Sequence, residues 1–196
     1  MQPLAILPVL TTVFNQTTLI PDAEQQKLVE ACKRGDRNAQ YRLYHQYSRA
    51  MFSTCLRMLR VEADAEDALQ NAFIDVFTKL DSFRYESTIG AWIKRIVVNT
   101  CINHLKKRKL LTTDWDESIP LPEEPVFDDS EQEYQVARVK KAVQELPDGY
   151  RVVFSLYLLE GYDHAEIGQI LNISEATSKS QFSRAKQRIR EMLEEE

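Results

Sequence analysis

Glycine is scarce, at 5 of 196 residues, and proline stands at 7. A turn-dense β-sandwich or a glycine-rich nucleotide-binding sheet is hard to build from so few chain-bending residues, so a mostly helical protein is expected. Cysteine is equally sparse. Cys32, Cys55 and Cys101 are odd in number, form no C-x-x-C pair and fall among apolar residues at helical spacing. They read as reduced core residues rather than as a disulfide framework. His45, His104 and His164 are scattered, with no second ligand at a useful spacing, so neither a metal centre nor a catalytic thiol is expected. No uninterrupted apolar run is long enough to span a bilayer. The apolar stretch Gln2 to Ile20 lacks a basic start and is interrupted by Pro3 and Pro8, so residues 1–22 read as a disordered extension rather than a signal peptide. A cytoplasmic protein is expected.

What is present is the ordinary balance of a globular chain, 43% hydrophobic and 28% charged. The net charge of −5 is unevenly spread. Ser87 to Thr113 holds six basic residues (Lys94, Arg95, Lys106, Lys107, Arg108, Lys109) and no acid, and Ala176 to Arg190 holds five (Lys179, Arg184, Lys186, Arg188, Arg190) and no acid. Taking those eleven positive charges from −5 leaves −16 on the remainder. An acidic chain with two basic stretches is suited to touch a polyanion at two places while repelling it elsewhere.

Four helices are expected in residues 23–110. The first carries Leu28, Val29, Ala31 and Cys32 between Asp22 and Gly35-Asp36, and the second runs from about Asn38 to Leu59. The third has the cleanest periodicity: Ala65, Ala68, Leu69, Ala72, Phe73, Val76, Phe77 and Leu80 fall on one face behind an Asp64 N-cap. Its other face is polar and acidic, with Asp67, Gln70, Asn71 and Asp75 around a lone apolar Ile74. After the turn-like Asp81 to Ser87, a fourth helix buries Ile89, Trp92, Ile93, Ile96, Val97, Cys101 and Leu105 and presents Lys94, Arg95, Asn99, Asn103 and Lys106.

Between Leu110 and Ala137 the periodicity fails. Pro120, Pro122 and Pro125 accompany nine acids and no base, a composition that cannot offset its ordering entropy by burial, so residues 111–131 read as a flexible acidic linker. A second domain, 132–196, begins with a helix near Ser130 to Leu146, stops at Pro147-Asp148-Gly149 and resumes as Arg151 to Glu160. A capping-box spacing, Asp163 and Glu166, opens a helix to Leu171, and Ser174 caps another from Glu175 to about Leu193. The spacing of Ile167, Ile170, Leu171, Ile173, Phe182, Ala185 and Ile189 fits a helix-turn-helix with Gly168 at the closest approach.

The second helix of such a motif enters the major groove, and Thr177, Lys179, Ser180, Gln181, Ser183 and Arg184 offer side chains for base edges and phosphates. Lysine and arginine near a helix C-terminus also suit the macrodipole, which accounts for Arg188 and Arg190 but not for Lys179 near the positive end. On the fourth helix, Asn99 and Asn103 are base-edge readers one turn apart among phosphate-contacting cations. A solvated face with a basic last turn fits those residues equally well. Tyr85, in the turn, is a candidate for stacking on an unpaired base, whereas Trp92 belongs to the apolar stripe.

The segment DAEDALQNAFIDVFTKLDSFR followed by WIKRIVVNTCINHLKKRK resembles region 2 of the bacterial sigma-70 family, and LPDGYRVVFSLYLLEGYDHAEIGQILNISEATSKSQFSRAKQRI resembles its region 4. The lack of a domain between them is similar to the extracytoplasmic-function (ECF) subfamily. The resemblance implies an all-α RNA polymerase sigma factor of two helical domains that directs promoter-specific initiation. It implies that Asp67, Gln70, Asn71 and Ile74 dock on the β′ clamp helices of the polymerase core. Tyr85, Lys94, Arg95, Asn99, Asn103 and Lys106 would meet the unpaired minus-ten element, and Thr177, Lys179, Ser180, Ser183 and Arg184 the minus-35 element. An anti-sigma factor is a further implied partner. No cofactor, small-molecule substrate or covalent chemistry is implied, since polymerase supplies catalysis.

The sequence departs from the family pattern at three places: Asn71 where Glu is frequent, Ser178 where Val is usual, and Tyr85 where Gly is common. These bear on the core contact, on recognition-helix packing and on minus-ten preference respectively. A one-component regulator, with the first bundle sensing or dimerising, is the rival reading. It would need a dimer surface and a ligand pocket, neither of which the sequence displays.

Overall fold

The computed structural model describes residues 23–107 and 132–194, with side chains in the second stretch described from Arg138 onward. Among the described residues every regular element is helical, and they fall into two compact units, treated separately below. The expected extension and acidic linker lie outside the described residues.

The first unit comprises α1 (Ala23–Lys33), α2 (Arg37–Leu59), α3 (Glu62–Lys79), a 3-10 turn (Leu80–Ser82) and α4 (Ile89–Lys107). The corner between α1 and α2 is tight because Gly35 takes φ +81°, which lets Gly35 N–H reach Cys32 O at 3.0 Å and Asp36 N–H reach Ala31 O at 3.1 Å. Asp36 then caps α2, its carboxylate accepting from Asn38 and Ala39 N–H at 2.8 and 3.2 Å. The core forms where Leu43, Cys55 and Met58 of α2 meet Ala65, Ala72 and Val76 of α3 and Ile93, Val97 and Cys101 of α4. The small residues of α3 are what let it lie against both neighbours. All three cysteines are free and buried, as core residues should be.

Two expectations need correction. α3 begins at Glu62, with Val61 rather than Asp64 at its cap: Val61 O accepts from Ala65 N–H at 3.0 Å. Asp64 instead sits in the first turn, where a carboxylate complements the helix dipole, 3.5 Å from His104 Nε2 of α4. On α4, Val98 and Ile102 are buried whereas Trp92 and Ile96 are only half-buried, because α4 contacts both α2 and α3 and so presents a broader apolar face than one stripe.

The second unit comprises α5 (Gln132–Glu145), α6 (Asp148–Phe154) continued by a π turn (Ser155–Leu159), α7 (His164–Leu171) and α8 (Glu175–Glu194). α6 starts three residues earlier than expected, since Pro147 O accepts from Arg151 N–H at 2.9 Å and Asp148 suits the first turn. Ala142, Val143, Leu146, Phe154, Ala185 and Ile189 form one apolar cluster, with Val139, Tyr150, Leu158 and Phe182 packed around it. Arg151 is fully buried, donating to Leu146 O at 3.0 Å and to Asp148 Oδ1.

Candidate nucleic-acid and polymerase interfaces

In the first unit, α3 presents Asp67, Gln70, Asn71 and Ile74 at the helical spacing of a single stripe, and all four are exposed. Ile74 is 63% exposed, conspicuous on a helix whose other large apolar residues are buried or half-buried. The next residue, Asp75, is paired with Lys79 at 2.7 Å. On α4, Arg95, Asn99, Asn103 and Lys106 are exposed along one stripe, while Lys94 is half-buried. Thr88 opens this helix, its hydroxyl accepting from Ala91 N–H at 3.1 Å.

The segment between the 3-10 turn and α4 is built differently. Phe83 is buried, its ring centroid 5.5 Å from that of Trp92. Tyr85 has φ +63°, the left-handed region that a non-glycine residue seldom occupies. Its ring lies 4.8 Å from that of Phe83 and 4.9 Å from Lys33 Nζ, and its hydroxyl donates to Glu30 Oε1 at 2.7 Å. Burial and the Glu30 carboxylate push the phenol up to about 12, and Tyr85 and Lys33 together hold Glu30 below its ordinary value. Tyr85 is thus engaged with α1 rather than standing free as a stacking platform.

In the second unit, Asp163 and Glu166 form the reciprocal capping box: Glu166 N–H donates to Asp163 Oδ1 at 2.8 Å and Asp163 N–H to Glu166 Oε2 at 2.9 Å. Asn172 closes α7 in the left-handed region, and Ile173 N–H donates to Gly168 O at 3.0 Å. A Cβ at Gly168 would stand 2.9 Å from Ile173 O, so the turn can pack this closely only over glycine. Ser174 caps α8, its hydroxyl accepting from Thr177 N–H at 3.0 Å and bonded to Thr177 Oγ1 at 2.8 Å. The arrangement is a helix-turn-helix with α8 as the recognition helix.

Along α8, Lys179 and Ser180 are exposed, and Thr177, Ser183 and Arg184 are half-buried. Lys179 bonds Glu175 at 2.7 Å, which answers why a cation sits near a positive helix end: the preceding acid offsets the dipole there. Gln181 is displaced from the expected DNA-reading set, being 2% exposed with its Oε1 lacking a partner. It lies one residue from Ser180 but on the inward face of α8, next to Phe182 and four before buried Ala185. Ser178 is also fully buried, and its hydroxyl is 2.9 Å from His164 Nδ1 of α7. The His164 ring stacks on Tyr157 at 4.4 Å, and burial, with Lys179 nearby, lowers its affinity for a proton.

No group of three or more histidine, cysteine, aspartate or glutamate side chains able to hold a metal is found among the described residues. Among them no helix is long and apolar enough to cross a membrane.

Comparison with known families places this geometry. The sigma-70 region 2 model matches residues 43–110, and the sigma-70 region 4 model matches residues 137–189. The chain is 32% identical over 172 residues to the ECF RNA polymerase sigma factor SigM of Mycobacterium tuberculosis, covering 88% of this chain and 84% of SigM. The chain belongs to the ECF sigma factor family. Its likeness to the ECF sigma-E factor of Escherichia coli is 31% identity, over 84% of this chain and 91% of that protein. Among solved structures, CnrH in complex with the cytosolic domain of CnrY matches with a TM-score of 0.52 at 20% identity, over 86% of this chain and 96% of that one. The sigma factor RpoE of Bartonella quintana, in complex with the anti-sigma factor NepR, matches with a TM-score of 0.52 at 23% identity, over 79% and 96%. At such identities these two establish the shared sigma fold. As an ECF sigma factor, the chain is a promoter-specificity subunit for transcription initiation by RNA polymerase.

Proposed function

We propose a division of labour between the two units. Residues 23–110 act as region 2, 111–131 as linker and 132–196 as region 4. In region 2, the α3 stripe of Asp67, Gln70, Asn71 and Ile74 docks on the β′ clamp helices of core polymerase. Three hydrogen-bonding side chains around one apolar anchor suit a protein partner. The α4 stripe, with Lys94, Arg95, Asn99, Asn103 and Lys106, follows the unpaired minus-ten strand, cations on phosphate and asparagines on base edges. Tyr85 belongs to the same surface. In region 4, Thr177, Lys179, Ser180, Ser183 and Arg184 enter the major groove of the minus-35 element.

The observation that carries this reading is the segregation of exposed residues in the first unit. α3 offers acid, amides and an isoleucine, whereas α4 offers cations and amides, and a polyanion would be repelled by the one and drawn to the other. The protein makes and breaks no bond itself and works in the cytoplasm, where polymerase and promoters are. Its activity is held in check by an anti-sigma factor. The support for that partner is that two solved structures of this fold are complexes, RpoE of Bartonella quintana with the anti-sigma factor NepR and CnrH with the cytosolic domain of CnrY.

Run-off transcription with purified core polymerase on fragmented genomic template, with transcript starts mapped, tests the reading. Discrete starts that depend on the protein and share two spaced upstream elements are expected. Absence of both stimulation and core binding would overturn it.

A further inference from the structure

The fourth helix and the segment before it are the surface assigned above to the minus-ten strand, yet the residues that fix that segment's shape lie on α1. Lys33 Nζ donates to Phe83 O at 3.3 Å, pairs with Glu30 Oε1 at 3.0 Å and sits 4.9 Å from the centre of the Tyr85 ring. Glu30 in turn accepts the Tyr85 hydroxyl at 2.7 Å. Two side chains, one turn apart on a helix fifty residues upstream, therefore grip both the backbone at Phe83 and the side chain at Tyr85.

We propose that Glu30 and Lys33 are positioning residues for minus-ten recognition, clamping Phe83 and Tyr85 so that residues 83–88 keep one backbone shape to receive the unpaired strand. The inference rests on the minus-ten role proposed above. A tyrosine at φ +63° is strained relative to extended backbone and stays there only when its surroundings over-determine it. At this position they do so from two sides. The buried Phe83 ring, packed on Trp92, anchors the segment from below, and the Glu30–Lys33 pair holds the Tyr85 side chain. Without the pair the backbone at Tyr85 is free to leave the left-handed region, and the strand must then reorder the segment on binding. Lys33 is well placed for this part because its side chain is only 17% exposed and its ammonium is shared among a carboxylate, a carbonyl and a ring. Glu30, 48% exposed, can be altered without opening the core.

The test uses holoenzyme assembled from the full chain and core polymerase. A fluorescent non-template-strand oligonucleotide carries the mapped minus-ten element, and a companion set changes one base at a time. Glu30→Gln and Lys33→Met are expected to weaken capture of the cognate strand about fivefold, the factor matching the strain of one left-handed non-glycine residue, and to flatten discrimination among the variants. In a Tyr85→Gly background, where the left-handed backbone costs nothing, Glu30→Gln should have no further effect. Unchanged capture in both single variants, with native helicity, would overturn the clamp. So would an equal loss from Glu30→Gln with and without glycine at 85, since that marks a general structural role. If the unaltered holoenzyme shows no preference for the cognate strand, the minus-ten reading itself fails, and the clamp with it.

Discussion

The two units solve the same problem, holding steady the helix proposed above to meet DNA, with different interiors. In residues 23–107 the buried polar side chains are few, Thr54 and Thr88, and both have partners within a turn of their own helix. Long helices with small residues on α3 give this unit an almost wholly apolar interior, and its links between polar side chains of different elements, such as Asp64 with His104 and Tyr85 with Glu30, involve side chains that are only partly buried or exposed. In residues 132–194 the helices are shorter, and Arg151, Ser155, Ser178 and Gln181 are all essentially sealed from water. A small unit has too little apolar surface to fix short helices by packing alone, so hydrogen bonds to backbone and between helices share the task. Such a device specifies geometry at the cost of desolvating polar groups, and in Ser155 and Gln181 the desolvated atoms are unpartnered.

Arg151→Met should therefore cause the largest loss. It leaves Leu146 O and the Asp148 carboxylate without the guanidinium that they share, at a cost of about 3–5 kcal/mol for a broken buried pair. Hydrogen exchange resolved by peptide should show faster exchange across 138–194 and little change across 23–107; uniform acceleration would mean that the interiors are not independent. Next comes Gly168→Ala, which drives a methyl against Ile173 O, a backbone atom with nowhere to yield, for about 1–3 kcal/mol. The contrast is Gly90 of α4, where the opposing atom is the edge of the Tyr47 ring, a side chain able to swing. Thermal unfolding of the two alanine variants should rank Gly168→Ala as the more damaging.

The same contrast explains what was legible in the sequence. Repeating patterns were: the Ala65 to Leu80 stripe, the Asp163–Glu166 capping box and the Gly168 approach all emerge as expected, because each depends on residues within a turn or two of one another. The start of α3 was not, since the N-cap residue Val61 makes no side-chain cap bond and so leaves no signature in the sequence. Arg151 and Gln181 look like surface residues in any polarity pattern, and only the fold shows them buried. For the candidate interfaces, the stripes on α3 and α4 follow from helical spacing, whereas the Tyr85 contact with Glu30 joins residues 55 positions apart and has no local signal.

At the functional level the units should separate cleanly. Arg184→Ala is expected to cost about 1–3 kcal/mol of discrimination between promoter and scrambled minus-35 duplex, the worth of a good base contact. Asp67→Ala with Gln70→Ala should leave that discrimination intact while weakening binding to core polymerase. Fluorescence titrations of each variant against duplex and against core check both halves. An equal loss on the two duplexes would assign Arg184 to phosphate instead.

The smallest effect belongs to His164, and its sign follows from its surroundings. The imidazole is held between α7 and α8 by the Ser178 hydroxyl at 2.9 Å and by stacking on Tyr157, with Phe182 centred 5.7 Å away. Burial disfavours the imidazolium most, Lys179 adds repulsion, and Glu175 and Asp163 offset it in part. The folded state therefore binds this proton less readily than the unfolded chain does. Its contribution is complete above the ordinary histidine range and is lost as pH falls through that range towards the lowered folded value, below which the loss levels off. Melting temperatures between pH 5 and 8 should thus fall more steeply on acidification for the native chain than for His164→Gln, which cannot be protonated. Parallel curves would show that the histidine between the two helices of the DNA-binding motif carries no pH-dependent share of their packing.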